Sequence, residues 1–288
     1  MPATDKRAAY SLFALVVLTA ACGNLSQTAV NAMMMGIVAD MGVTVELGQW
    51  LSTGYMLMLG VAVPAVTWIS KRFSARQHML LGLGLSLAGS LICLAAPGFW
   101  VLLAGRILQA VSTGILLPFM TTIAMVSFPP GRQATAMGIA GVAMGFAPNI
   151  GPTVGGAMAS AWGWRSFFVL LAALTCVLTL CALVLVKPTK PHDAAARLDA
   201  VSLSLSTLGL GGVLLGFSNA SSFALISPYV WGPLAVGVAL CAAFIVRQKR
   251  SDNPLIDLGV FRSARFNAGF AAQNLLFASF MGVTLVVS

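Results

Sequence analysis

The chain has 288 residues, 59% of them apolar and only 8% charged, and a formal net charge of +9. That balance excludes an ordinary soluble globule, in which about a quarter of the residues are charged. The basic residues fall in short clusters between apolar runs, as in the loops of a membrane protein, so the positive charge does not point to a nucleic-acid partner.

No ionised side chain occurs in residues 8–39, 47–70, 77–105, 107–131, 133–164, 166–186 or 200–246. A hydrocarbon core of roughly 30 Å needs about 20 such residues per helix. The period-two alternation of a membrane β-barrel is lacking. The sequence therefore predicts an all-α, polytopic membrane protein of about nine spans, near 9–35, 48–69, 78–97, 100–127, 134–161, 166–186, 201–218, 228–246 and 266–287. Fourteen of the sixteen Lys and Arg residues fall at the amino terminus or in alternate connections, all on one side; Arg106 and Arg165 are the others. Positive loops stay inside, so the N-terminus is expected in the cytoplasm of a cell (plasma or inner) membrane.

Span one begins after Lys6-Arg7 and runs through "LTAACGN", which resembles a signal peptide. Its apolar pattern continues past Cys22 with polar residues at helical spacing, so it reads as a first membrane helix. Asn24, Gln27, Thr28 and Asn31 recur at steps of three and four or share that face, followed by Met34 and Met35. A polar stripe capped by thioethers suits the wall of a wet, adaptable cavity; hydrogen bonding between helices is the alternative.

Span four, "LLAGRILQAVSTGILLP", puts Arg106, Gln109 and Thr113 on one face. Arg106 lies about six residues, or roughly 9 Å, inside the helix start. An Arg at such depth costs a few kcal/mol, about 2.5–3.5 on insertion scales, unless it faces protein or water. It either meets a substrate, a proton relay or neighbouring carbonyls, or it snorkels to the outer surface.

Span five carries Gly138, Gly141, Gly145, Pro148, Pro152, Gly155 and Ala159 at alternating steps of three and four. Small residues on one face let helix backbones approach closely in lipid, and the prolines each remove a backbone donor. A bent, close-packed, sealing helix is expected, with Asn149 one residue off the seam and turned toward the cavity. "WGWRSFF" closes the span, where Trp162 and Trp164 suit the interfacial aromatic belt.

The linkers "KPTKPHDAAARLDA" and "RQKRSDNPLIDLGVFRSARF" flank spans seven and eight. Span nine reaches Ser288 without a polar tail, which reads as truncation. Cys22, Cys93, Cys176, Cys181 and Cys241 all lie in apolar runs and read as packing residues, not as a disulfide frame or a metal site. His78 and His192 fall in or beside cytoplasmic loops and take no role; neither a metal nor a cofactor is expected, and no His/Asp/Glu constellation supports an enzyme.

"GRILQAVSTGILLP", "RQATAMGI" and "APNIGPTVGGAMASAWGWRSFF" resemble spans four and five of the major facilitator superfamily. "LSQTAVNAMMM", "QWLSTGYMLMLGVAVP" and "KRFSARQHML" resemble its fourteen-span drug:proton antiporters of the EmrB/QacA type, above all the lincomycin-resistance (LmrB-like) branch. The resemblance covers nearly the whole chain. It implies a six-helix N-terminal bundle in residues 1–187, two inserted helices in 188–250, and a linker with the first helix of a C-terminal bundle in 251–288, the rest of that bundle missing. It also implies roles for named residues. Arg106 matches the span-four Arg implicated in proton handling. Gly145, Gly151, Pro152, Gly155 and Gly156 fall in the antiporter motif. Lys71, Arg72 and Arg76 match the basic part of the loop that latches conformations.

Three departures stand out. Ser26 replaces a common span-one Asp, Thr67 and Ser70 replace loop Gly and Asp, and all seven acidic residues lie outside the spans or at their ends. Coupling would then use a carboxylate beyond Ser288, Asp199 or Asp40, or be absent. The expected function is a secondary active multidrug exporter working by alternating access with proton influx. Its partners would be small amphipathic drugs (cationic or neutral), protons, membrane lipid and, in a cell with two membranes, a periplasmic adaptor. Asn24, Gln27, Asn31, Arg106, Gln109, Thr113 and Asn149 would line its pathway. The alternative is a truncated, non-transporting relic or a regulatory partner of an intact transporter.

Overall fold

A computed structural model describes residues 3–186, 199–220, 227–251 and 258–287. Lys187, Lys190, His192, Asp193, Arg197, Asp252 and Asp257 lie outside them. The described residues are helical almost throughout: α1 (Ala3–Met41), α2 (Val45–Gly48), α3 (Trp50–Ala62), α4 (Ala65–Arg72), α5 (Ala75–Ala95), α6 (Phe99–Ser127), α7 (Pro130–Trp162), α8 (Arg165–Leu185), α9 (Ala200–Asn219), α10 (Pro228–Arg250), a 3-10 helix (Leu258–Arg262) and α11 (Ala264–Val287).

Helix ends follow local chemistry. Ser74 caps α5 by accepting from Gln77 N, and the Gln77 side chain returns the bond to Ser74 N, so the sequence "SARQ" starts the helix. Asp199 caps α9 through Ser202 N. Pro130 opens α7, where its missing donor costs nothing. Gly163, with φ +80°, ends α7 in a conformation that suits glycine.

Six described helices are long and apolar enough to cross a membrane, and a seventh span is formed if α2–α3 and α4 count as one. Those two halves are bent by 54°, so the expected straight span over 48–69 is broken. The break falls at Pro64, whose nitrogen cannot donate to the helix ladder. α7 does not pass on apolarity, a consequence of its glycines and polar residues, yet it runs without interruption through Pro148 and Pro152.

α6 is the centre of the bundle, packed on α1, α3 and α5; α7 lies along α1, and α8 along α5. The α9–α10 hairpin docks through α9 on α3, and the chief contact of α11 is with the preceding 3-10 helix. Besides a smaller cluster of Ala62, Val66, Ile69 and Ile115, the core has two large apolar clusters. One joins Phe13, Val16, Leu83, Leu116, Phe119 and Ala140. The other joins Val30, Ile37, Leu51, Leu102, Phe167 and Phe168. In chain order, each helix that contributes to both passes from one to the other through a stretch of buried polar residues. These are Thr19 and Ser26 in α1, Ser86 and Ser90 in α5, Arg106, Gln109, Ser112 and Thr113 in α6, and Thr175 in α8.

Candidate functional site

The polar layer forms because α5 and α6 cross at two glycines. A Cβ on Gly89 would stand 2.6 Å from Gly105 O, and one on Gly105 would stand 2.8 Å from Gly89 O. No larger residue fits either position without moving a backbone. This crossing brings Ser90 of α5 beside Gln109 of α6, while α1 supplies Ser26 and α3 supplies Tyr55.

Arg106 lies at the middle and has no exposed surface. Its Nη1 donates to Ser26 Oγ at 2.7 Å and to Gln109 Oε1 at 2.8 Å. Its guanidinium carbon stands 4.3 Å from the centroid of the Tyr55 ring, within cation–π range. Gln109 Nε2 then donates to Ser90 Oγ at 3.0 Å, and Ser90 donates to Ser86 O at 2.8 Å. Tyr55 OH donates to Gly23 O at 3.1 Å and lies 2.8 Å from Thr113 Oγ1. Nε and Nη2 of Arg106 have no hydrogen-bond partner. Every acidic residue of the described segments sits at a helix end, so none reaches this layer.

Of the residues singled out from sequence, Arg106, Gln109 and Thr113 come together here. Asn24 and Gln27 are half-buried on α1. Asn24 donates to Met144 Sδ at 3.1 Å, a contact with α7. Asn31 is exposed and accepts from Ser52. Asn149 is exposed and donates to Gly145 O of its own helix at 2.7 Å. The glycine seam of α7 is not one packed strip. Of the seam, Gly155 presses on α1, where a Cβ would meet Ala29 O at 2.9 Å, but Gly138, Gly141 and Gly145 have nothing within 4 Å; of the motif glycines beside it, Gly151 would meet Leu25 O at 2.8 Å and Gly156 nothing. Pro152 is also exposed.

At the other loops, Lys71 and Arg72 close the last turn of α4. Arg76 donates to Leu183 O at 2.8 Å and ties α5 to the end of α8. His78, expected in or beside a loop, stands in the first turn of α5 next to one, wholly buried and stacked on Phe119 at 4.0 Å. At the opposite end Arg165 pairs with Asp40 at 2.7 Å and donates to Ala96 O at 3.3 Å, joining α8, α1 and α5. A groove of about 740 Å³ runs between α1 and α7, lined by Tyr10, Phe13, Val17, Arg132 and Ile139, apart from Arg106. None of the five cysteines is paired, and the described residues contain no group able to hold a metal ion.

Sequence reasoning passed over Tyr55 and Ser90. Tyr55 is the only tyrosine in the first six spans' interior stretches, an uncommon phenol in an apolar run, which is the signal that could have flagged it. Ser90 carries no such signal, because serine is common in membrane helices.

The Major Facilitator Superfamily model matches residues 16–288. The chain belongs to that superfamily. Its members are membrane transporters rather than enzymes, and this one is a multi-pass membrane protein. It is 36% identical over 257 residues to the lincomycin resistance protein LmrB of Bacillus subtilis, covering 88% of this chain and 53% of that protein. It is 33% identical over 263 residues to the MFS-type transporter YcnB of the same organism, covering 91% and 56%. A multidrug resistance protein B homolog of Mycobacterium tuberculosis is 31% identical over 274 residues, covering 92% and 50%. The chain therefore spans about half the length of the curated relatives it matches. Among solved structures, a peptide transporter POT in complex with sulfate superposes with a TM-score of 0.61 at 16% identity, covering 85% of this chain and 53% of that one, which shows a shared fold.

Proposed function

We propose that this superfamily member exports small amphipathic, drug-like molecules by alternating access, driven by inward proton flow. The supporting observation is the buried Arg106 layer, where a cation in mid-bundle is tied to α1, α3 and, through Gln109, α5. Such a residue is costly in a membrane and marks a substrate or ion pathway by default. The drug-resistance names of the relatives point the same way.

In this reading residues 1–187 are the N-terminal bundle, 188–250 the inserted pair, and 251–288 the linker and first helix of a second bundle. The two bundles rock about a midplane cavity. Asn24, Gln27, Asn31, Arg106, Gln109, Thr113 and Asn149 face that cavity during the cycle. The exposed face of α7, with Gly138, Gly141, Gly145 and Pro152, meets the second bundle. Lys71, Arg72 and Arg76 latch the cytoplasmic side. The N-terminus lies in the cytoplasm of the plasma or inner membrane, and a periplasmic adaptor joins where there are two membranes.

Dye efflux from cells making the complete protein tests the reading. Arg106→Ala, at equal expression, is expected to abolish efflux. Undiminished efflux would remove Arg106 from the mechanism. A second reading is a non-transporting partner of an intact transporter; the coding sequence downstream of Ser288 separates the two.

A further inference from the structure

We propose that the polar layer binds one carboxylate-sized negative charge on the Nε–Nη2 edge of Arg106. An arginine carries five N–H donors. Those on Nη1 are engaged by Ser26 and Gln109, whereas Nε and Nη2 are buried and unpartnered. These two nitrogens form one edge of the guanidinium plane, the fork that grips a carboxylate bidentately. The Tyr55 ring covers a face of the group, not that edge, which lies in the guanidinium plane.

The surrounding side chains cannot neutralise the charge. Ser26 is neutral, Gln109 has already turned its oxygen to Nη1, and Ser90 passes its proton on to Ser86 O. An unpaired buried cation is a strongly unfavourable state. A bound anion removes the imbalance, and a purely cationic cargo would add to it. The inference deepens the exporter reading by naming the cargo as an acidic or zwitterionic amphipathic molecule. A small free anion would use the same chemistry.

Binding is read on the purified complete protein in detergent, without transport, by thermal stabilisation. The probes are benzoate, its neutral isostere benzamide, and chloride, with the salt of a bulky sulfonate, too large for the layer, holding ionic strength constant. Saturable stabilisation by benzoate but not by benzamide supports the cargo-carboxylate source; saturable stabilisation by chloride alone supports the free anion. Arg106→Gln should lose the response. Ser26→Asp, which supplies an internal counter-charge, should weaken it by about tenfold or more, while Ser26→Ala should keep it. Should Arg106→Gln not fold, Ser26→Asp decides. No saturable response in the wild-type protein, or an undiminished one in Ser26→Asp, overturns the site. Binding without efflux would sink the exporter reading and leave the site; efflux without any anion response would do the reverse.

Discussion

Gln109 joins the buried cation to the neighbouring helix, and replacing it with leucine separates those two functions from packing. Gln109→Leu keeps the side-chain size nearly constant, so no cavity term enters. It removes the acceptor for Arg106 Nη1 at 2.8 Å and the donor to Ser90 at 3.0 Å. A hydrogen bond to a charged group contributes about 1.5–3 kcal/mol. One between membrane helices contributes about 0.6–2 kcal/mol. The residue is 3% exposed, so solvent does not replace either bond. A loss of about 2–5 kcal/mol follows. Gln109→Glu keeps the acceptor, adds a counter-charge at i,i+3 on α6, and draws the Ser90 proton from Ser86 O to the carboxylate; the added ion pair outweighs that exchange, so it should be at least as stable as the native protein. SDS-driven unfolding of the complete protein in mixed micelles measures both. A Gln109→Leu variant within about 0.5 kcal/mol of the native protein, or a Gln109→Glu variant as weak as Gln109→Leu, would show that the Arg106 layer is not held by this residue.

Tyr55→Phe loses the bonds to Gly23 O and Thr113 but keeps the aromatic face, and should cost about 1 kcal/mol in the same assay; Tyr55→Leu also loses the cation–π contact at 4.3 Å and should cost clearly more. Gly237→Leu should open the α9–α10 hairpin, because even a Cβ there would lie 2.4 Å from Val213 N; a cysteine pair across the hairpin should cross-link more slowly. Asp199 pairs with Arg247 at 3.0 Å: partial burial raises its pKa, but hydrogen bonds from Arg247 and Ser202 outweigh that and hold it at about 2. Its stabilisation is therefore complete above about pH 4 and is lost as pH falls through about 2; exchange at Ser202 N–H, corrected for intrinsic rate, should rise across that window, and Asp199→Asn should abolish the step. Gly151→Ala should disrupt α1–α7 packing, since its Cβ would meet Leu25 O at 2.8 Å, whereas Gly145→Ala, with nothing within 4 Å, should leave the stability of this bundle unchanged.

The class of fold was legible because the bilayer imposes it: long uncharged runs have no other use, and spacing alone put Arg106, Gln109 and Thr113 on one side of α6. Helical spacing says which residues share a face, but not what that face meets. Asn31 and Asn149 lie outside the layer because they sit on open faces of α1 and α7, although Ala29, Val30 and Ala147 close by are buried. The α7 seam failed as a single strip for a related reason. The buried face of α7 runs through Ala136, Ala140, Ala147, Gly151 and Gly155, so Gly138, Gly141 and Gly145 lie off it and meet nothing. Pro64 was visible in the sequence, but its effect depends on whether neighbours hold the two halves in line, which no local pattern records. Ser90 joins the site through the α5–α6 crossing and could not be read from its own segment, whereas Tyr55, a phenol that stands out in its apolar run, joins through the α3–α6 crossing.

Ser26 shows how one substitution redistributes the electrostatics of such a bundle. A carboxylate at that position would stand within ion-pair reach of Nη1, and the layer would be neutral when that acid is ionised and positive when it is protonated. A serine accepts the same hydrogen bond at 2.7 Å but cannot change charge. The layer therefore holds a fixed cation in every protonation state of its own residues, and any alternation of charge must come from something that enters or leaves. A proton cannot neutralise a positive site; a negative group can. The hydrogen-bond chain from Arg106 through Gln109 and Ser90 to Ser86 O points donors in one direction and ends on a backbone carbonyl, so it orders the side chains without offering a path for charge. On the exporter reading proposed above, any proton-responsive step would then belong to residues outside this layer.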